Sequence, residues 1–194
     1  MSKRIAFLSA AAFGALALTA AVVAPVSAQD KMMKSEMSGE KTVMVGGAAM
    51  FPSKNIIQNA VNSKDHTTLV AAVKAAGLVD TLEGKGPFTV FAPTNAAFGK
   101  LPAGTVDTLV KPENKSTLTK ILTYHVVAGK LEASSLTDGK KFKTVEGEEL
   151  TVKKSADKVM IVDAKGGSST VTIPNVNQSN GVIHVVDTVL MPAS

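Results

Sequence analysis

Near its C-terminus the chain carries Asn180-Gly181-Val182-Ile183-His184-Val185-Val186-Asp187-Thr188-Val189-Leu190-Met191-Pro192, the stretch that most restricts its fold. Asn-Gly tolerates the positive backbone dihedrals of a tight turn, the β-branched run behind it favours extended structure, and Pro192 marks the exit. Val182, Val186 and Leu190 fall on one face of such a strand, while Ile183, Val185 and Val189 spread apolar surface over both. Neither face can be left in water, so a central strand covered on both sides is expected. A second apolar run, Phe88-Thr89-Val90-Phe91-Ala92, leads into Pro93-Thr94-Asn95 and a helix start, and reads as the partner of the first. Thr94 and Asn95 offer a hydroxyl and an amide to cap that helix, which makes both structural.

Between these runs lies Tyr124-His125, set in Ile121-Leu122-Thr123-Tyr124-His125-Val126-Val127. The three segments, in this order and at this spacing, resemble the fasciclin (FAS1) family, whose two signature segments flank a Tyr-His pair. The signatures fall here on Thr89 to Phe98 and Gly181 to Pro192, and the resemblance spans about Gly47 to Pro192. It implies an α+β module, a wedge of two β-sheets with several helices packed around it. It also implies an extracellular role in adhesion or binding rather than catalysis, with His184 and Asp187 as parts of the structural motif. In adhesive animal members a Tyr-His pair with branched apolar flanks is associated with integrin-type recognition, which makes Tyr124 and His125 binding candidates. Those members carry an acidic-apolar pair just before the second signature. Asn175 and Val176 stand there instead, as further candidates without the carboxylate. The apolar flank also favours a structural reading: a His in such a shell is buried and hydrogen-bonded, here to the Thr94-Asn95 turn.

The N-terminus has Lys3 and Arg4, an apolar run from Ile5 to Val23, and small residues at Val26-Ser27-Ala28, the pattern of a secretory signal over residues 1–28. With no Cys to acylate and no second apolar span, the mature chain is expected to be secreted or periplasmic, without stable membrane insertion. Removing the signal leaves 19 Lys plus Arg against 16 Asp plus Glu, a net of +3. These charges are scattered and aromatics are only 4% of the chain, so the pattern of a nucleic-acid binder is missing. Residues 29–46 show no periodic apolar face and are expected to be a flexible leader before a domain over 47–194. Its Met32, Met33 and Met37 are soft ligands of the type Cu(I) takes, but no His or Cys supports them, so no cofactor is assigned.

Within the domain, Ser53 is placed to cap a helix bearing Ile56, Ile57, Ala60 and Val61. A second helix carries Leu69, Val70, Val73 and Ala76 at core spacing, with Gly77 as its C′ residue. His66 opens this second helix and reads as a polar surface or capping residue. Pro112 opens a longer helix ending near Tyr124, and short β-rich runs at 142–145, 149–153, 159–162 and 170–173 form a meander into the last strand. Catalysis lacks a pattern. There is no Gly-x-Ser-x-Gly elbow, no Cys and no short-spaced His pair, and residues 184 and 187 of one strand point to opposite faces. The expected function is an exported, non-enzymatic, monomeric binding module for a protein or polysaccharide at the cell surface or matrix. The alternative is a carrier of an apolar small molecule in a groove between sheet and helices.

Overall fold

The computed structural model describes residues 41–193; the signal segment 1–28 and Met32, Met33 and Met37 lie outside them. A hairpin comes first, β1 (Val43–Val45) and β2 (Ala48–Met50), turning at Gly46-Gly47 with φ of 58° and 76°. Helices α1 (Ile56–Ala60), α2 (Thr67–Ala76) and α3 (Val79–Glu83) follow. The cap of α1 is Asn55 rather than Ser53: its Oδ1 accepts from Gln58 N while the Gln58 side chain accepts from Asn55 N, a reciprocal capping box. Gly77 closes α2 in the left-handed conformation as expected, with Leu78 N donating to the Val73 carbonyl at 3.0 Å.

Strand β3 (Phe88–Pro93) runs into α4 (Asn95–Gly99), then α5 (Thr105–Leu109), α6 (Lys115–Tyr124) and β4 (Val126–Ala128). The rest is the expected meander: β5 (Lys141–Lys143), β6 (Glu149–Ser155), β7 (Lys158–Val162), β8 (Ser168–Gln178) and β9 (Gly181–Val186). Seven of these strands form one sheet in the order β4-β3-β9-β8-β7-β6-β5. A Val127–Thr144 bridge, with Val145 N donating to the Val126 carbonyl at 2.8 Å, draws its two ends together into a nearly closed sheet. The wedge comes from β8. Its start pairs with β7 and its remainder with β9, and two register shifts around Thr172 and Pro174-Asn175 bend it from one half of the sheet into the other.

Strand β9 is central, buried at all six residues, and lies parallel to β3 from Phe88↔Gly181 to Pro93↔Val186. Its alternation sorts two cores. Ile183 and Val185, with Val90 and Ala92 of β3, pack under α1, α2 and α6. Val186, with Phe91, Tyr124, Leu150, Val152 and Ile161, fills the inside of the wedge. Gly181 departs from the expected reason for a glycine, because its φ is not positive. A Cβ there would overlap the Phe88 carbonyl oxygen and lie 2.9 Å from its carbon, so glycine is needed for the close approach of two backbones.

The hairpin corrects the leader boundary. Residues 43–46 were expected in the flexible segment, yet Val45 and Met50 are each 2% exposed and belong to the core under the helices. The alternation Val43 and Val45 inward, Met44 outward, around Gly-Gly is a short hairpin signal hidden in a charged context.

Candidate functional site

All three histidines and the single tyrosine are buried. His125 follows the last turn of α6 and is 2% exposed. Its Nδ1 lies 2.8 Å from the Ile121 carbonyl, which can only accept, and its Nε2 accepts from Leu190 N at 3.0 Å. These partners fix a neutral Nδ1–H tautomer with both nitrogens satisfied. His125 is thus buried and hydrogen-bonded, as its flank suggests, but its partner across the fold is the backbone after β9 and not the Thr94-Asn95 turn. Tyr124 is also fully buried: its hydroxyl accepts from Ala164 N at 2.8 Å and reaches the Glu149 carbonyl at 3.4 Å. Burial pushes the phenol pKa up, against a smaller opposing effect of the Ala164 amide.

His184 points into the wedge and stacks on Phe91 with ring centroids 5.7 Å apart. Its Nε2 donates to the Leu131 carbonyl at 2.7 Å, and Asn175 N approaches its Nδ1 at 3.4 Å. Asn175 sits at the β8 bend with φ 57°, and its Oδ1 accepts from Ala133 N at 2.7 Å. Val176 is 1% exposed in the core. Tyr124, His125 and Val176 therefore have no surface to offer a partner, and Asn175 spends its side chain on the 131–133 loop. Thr94 caps α4 through Ala97 N, and Asn95 joins α4 to the start of α2 by accepting from Thr68 N and donating to the Lys64 carbonyl. Asp187 accepts from Thr170 N and Thr188 Oγ1 and pairs with Lys100 at 3.6 Å. Burial alone would raise its carboxyl pKa, but these partners together bring it below the usual value.

His66 departs most from expectation. It is 3% exposed and holds the N-cap position of α2 without a side-chain capping hydrogen bond. Its neighbour Lys64 is tied to the hairpin turn and to α4: Lys64 N donates to the Gly46 carbonyl, and Asn95 Nδ2 donates to the Lys64 carbonyl. The His66 Nδ1 is 2.9 Å from Ser63 Oγ, while Nε2 makes no hydrogen bond of good geometry and has the Ala92 backbone as a weak partner that partly opposes the effect of burial. An unpaired buried polar group costs about 1 to 3 kcal/mol.

Burial pushes the His125 imidazole down to about 4 from an ordinary 6.5, and burial also lowers His66 and His184. Between those two values an unfolded chain takes up protons that the fold refuses. Stability is therefore complete above about pH 6.5 and falls as the pH drops towards 4. For His125 alone the window amounts to about 3 kcal/mol. Urea midpoints should fall steadily from pH 7 to pH 4.5; a flat series would show that the imidazoles are protonated within the fold.

Among the described residues, an open groove of about 450 Å³ lies by Lys141, Glu149 and Asp163, and another of about 510 Å³ lies at the end of the sheet where β3 and β9 begin. Asn180 fixes its floor by donating Nδ2 to the carbonyls of Leu82 (2.6 Å) and Gly84 (3.1 Å) and accepting from Ile56 N. Its lining also includes Gln58, Glu83, Lys85 and Lys130, all exposed side chains. Sequence reasoning did not single out these residues, because the groove assembles loops about a hundred positions apart. Among the described residues, no group of three or more His, Cys, Asp or Glu could hold a metal ion, and no helix is long and apolar enough to cross a membrane.

Comparison with known proteins agrees with this geometry. The family model described as "Fasciclin domain" matches residues 64–192. Protein sll1483 of Synechocystis sp. is 49% identical over 153 residues, covering 79% of this chain and 82% of that protein. Immunogenic protein MPB70 of Mycobacterium bovis is 36% identical across 99% of this chain and 98% of its own length. Cell surface glycolipoprotein MPB83 of the same species is 41% identical, over 76% of this chain and 64% of that one. Among solved structures, a FAS1 domain pair from the insect cell adhesion molecule Fasciclin I superimposes with a TM-score of 0.65 at 19% identity. That match covers 73% of this chain and 52% of the pair, and shows a shared fold. A central parallel β3–β9 pair, a buried Tyr-His at the end of α6 and a family match over two thirds of the chain identify it as a member of the fasciclin (FAS1) family.

Proposed function

We propose that this chain is an exported, non-enzymatic binding module that works as a monomer in adhesion or at the cell surface, secreted or periplasmic after loss of residues 1–28. The groove between the 83–87 loop and the 178–181 turn carries this reading. Its floor is backbone locked by Asn180, and its rim presents charged and amide side chains that a polar chain could bridge. A preformed cleft of this kind binds without the cost of ordering itself. A polysaccharide or an extended protein segment suits it, and the two Lys residues favour an acidic one. The cell-surface naming of MPB83 and the adhesion molecule with the same fold support the setting. The non-enzymatic reading draws on His125 and His184, whose ring nitrogens are engaged in internal contacts.

The mature protein should be retained on acidic cell-envelope polysaccharide immobilised on beads. A Lys85→Ala, Lys130→Ala double variant should weaken retention roughly fivefold to thirtyfold, with the melting temperature unchanged. Retention that ignores both lysines would reject the groove. A second reading, the carrier of an apolar small molecule, draws on a different place: an enclosed apolar cavity beneath the β1–β2 hairpin.

A further inference from the structure

Strands β5, β6 and β7 turn one face into the wedge and the other to solvent. Phe142, Leu150, Val152 and Ile161 point inward, so the residues alternating with them point outward. The register sets these outward residues in rows: Lys141 opposite Thr151, Lys143 opposite Glu149, Lys153 opposite Met160, and Lys158 opposite Ser155. Four lysines that lie apart in the sequence thus share one sheet face, and all four are exposed.

Glu149 is the one carboxylate in these rows, and it pairs with Lys141 at 3.4 Å. Lys143, Lys153 and Lys158 have no ion pair among the described residues. At the tip of the β6–β7 hairpin, Lys154 and Asp157 offset each other. Four lysines against one carboxylate leave +3 on this face, as much as the net +3 of the whole chain from residue 29 onward. Between the lysines, Met160 and Val162 are half-buried and belong to neither core, which puts apolar surface among the positive charges.

These features select a partner. The outward residues include no aromatic ring on which a sugar could stack and no amide side chain to bind its hydroxyls. An acidic polymer lying in the groove beside Lys141 would meet the carboxylates of Glu148, Glu149 and Asp163. An anionic bilayer suits the face better. Its headgroup phosphates meet the ammonium groups, while the lysine stems and Met160 lie against the less polar layer beneath.

We propose that the outer face of β5, β6 and β7 docks this protein on an anionic lipid bilayer, as a reversible surface contact without insertion. Each lysine held near such a surface raises the affinity about fivefold. The face shares no residue with the groove lined by Lys85 and Lys130, so either site stands without the other.

The mature chain should co-sediment with vesicles of phosphatidylcholine mixed with phosphatidylglycerol, and stay in solution with phosphatidylcholine alone. The triple variant Lys143→Ala, Lys153→Ala, Lys158→Ala should bind about a hundredfold more weakly with its melting temperature unchanged. A second triple variant, Lys64→Ala, Lys74→Ala, Lys111→Ala, removes the same charge from exposed positions elsewhere and should keep most of the affinity. Raising the salt from about 0.1 to about 1 M, which shortens the reach of charge attraction from about 10 to about 3 Å, should release the protein. Equal binding to the two kinds of vesicle, or equal losses in the two triple variants, overturns the proposal. Absence of binding to either vesicle overturns it as well, and if the first triple variant then loses its hold on immobilised acidic polysaccharide, the face belongs to a polymer.

Discussion

His125→Ala should destabilise the domain by about 3 to 5 kcal/mol, read as a large drop in the urea midpoint with little change in slope. Three losses add up. The imidazole leaves a cavity in a site that is 2% exposed, and it strands both the Ile121 carbonyl and the Leu190 amide without partners. The ring also closes a loop of 65 residues by joining α6 to the chain after β9, so the stretch 187–193 should exchange its amide hydrogens faster in the variant. An exposed control, Lys153→Ala, should stay within about 0.5 kcal/mol. Matching midpoints for the two variants would mean that His125 does not hold the second signature in place.

Gly181→Ala should be at least as damaging, costing about 3 kcal/mol or more or preventing folding. The added methyl meets the Phe88 backbone, which cannot rotate away as a side chain can. Relief would require β3 and β9 to part at the first step of their parallel register, Phe88↔Gly181. Gly99→Ala is the informative counterpart. Its Cβ would meet nothing within 4 Å, and α4 should gain up to about 1 kcal/mol from the reduced freedom of the unfolded chain. Similar melting temperatures for the two variants would refute the close-approach account.

The two central strands were legible because β-branched runs with apolar residues on both faces have few places to go. The sorting of the faces is cleaner than the expected spread over both: Val186 and Leu190 meet inside the wedge, while Ile183, Val185 and Val189 meet under the helices. What stayed hidden was non-local. Its place at the start of a helix made His66 read as a surface or capping residue, whereas it lines the apolar space beneath the hairpin. The burial of His125 was readable from its flank. Its partner was not, because a backbone amide 65 residues away carries no side-chain signal. Asn175 and Val176 drew interest as a recognition pair through their position before the second signature. The strand bend that gives one a positive φ and puts the other in the core leaves no trace in composition.

The near closure of the seven-stranded sheet also governs how many copies of this protein can share one place. A β-sheet recruits other chains through a row of unpaired N–H and C=O groups at its edge, and that is how strand exchange and fibre growth begin. Here β4 and the residues after β5 face one another through the Val127–Thr144 bridge and the bond from Val145 N to the Val126 carbonyl, so neither is left as a long open edge. The other sheet of the described residues, β1 with β2, is three residues long on each side, too short to template a neighbour. Among the described residues, a chain with no cysteine to lock it thus leaves a second copy no long strand edge on which to pair.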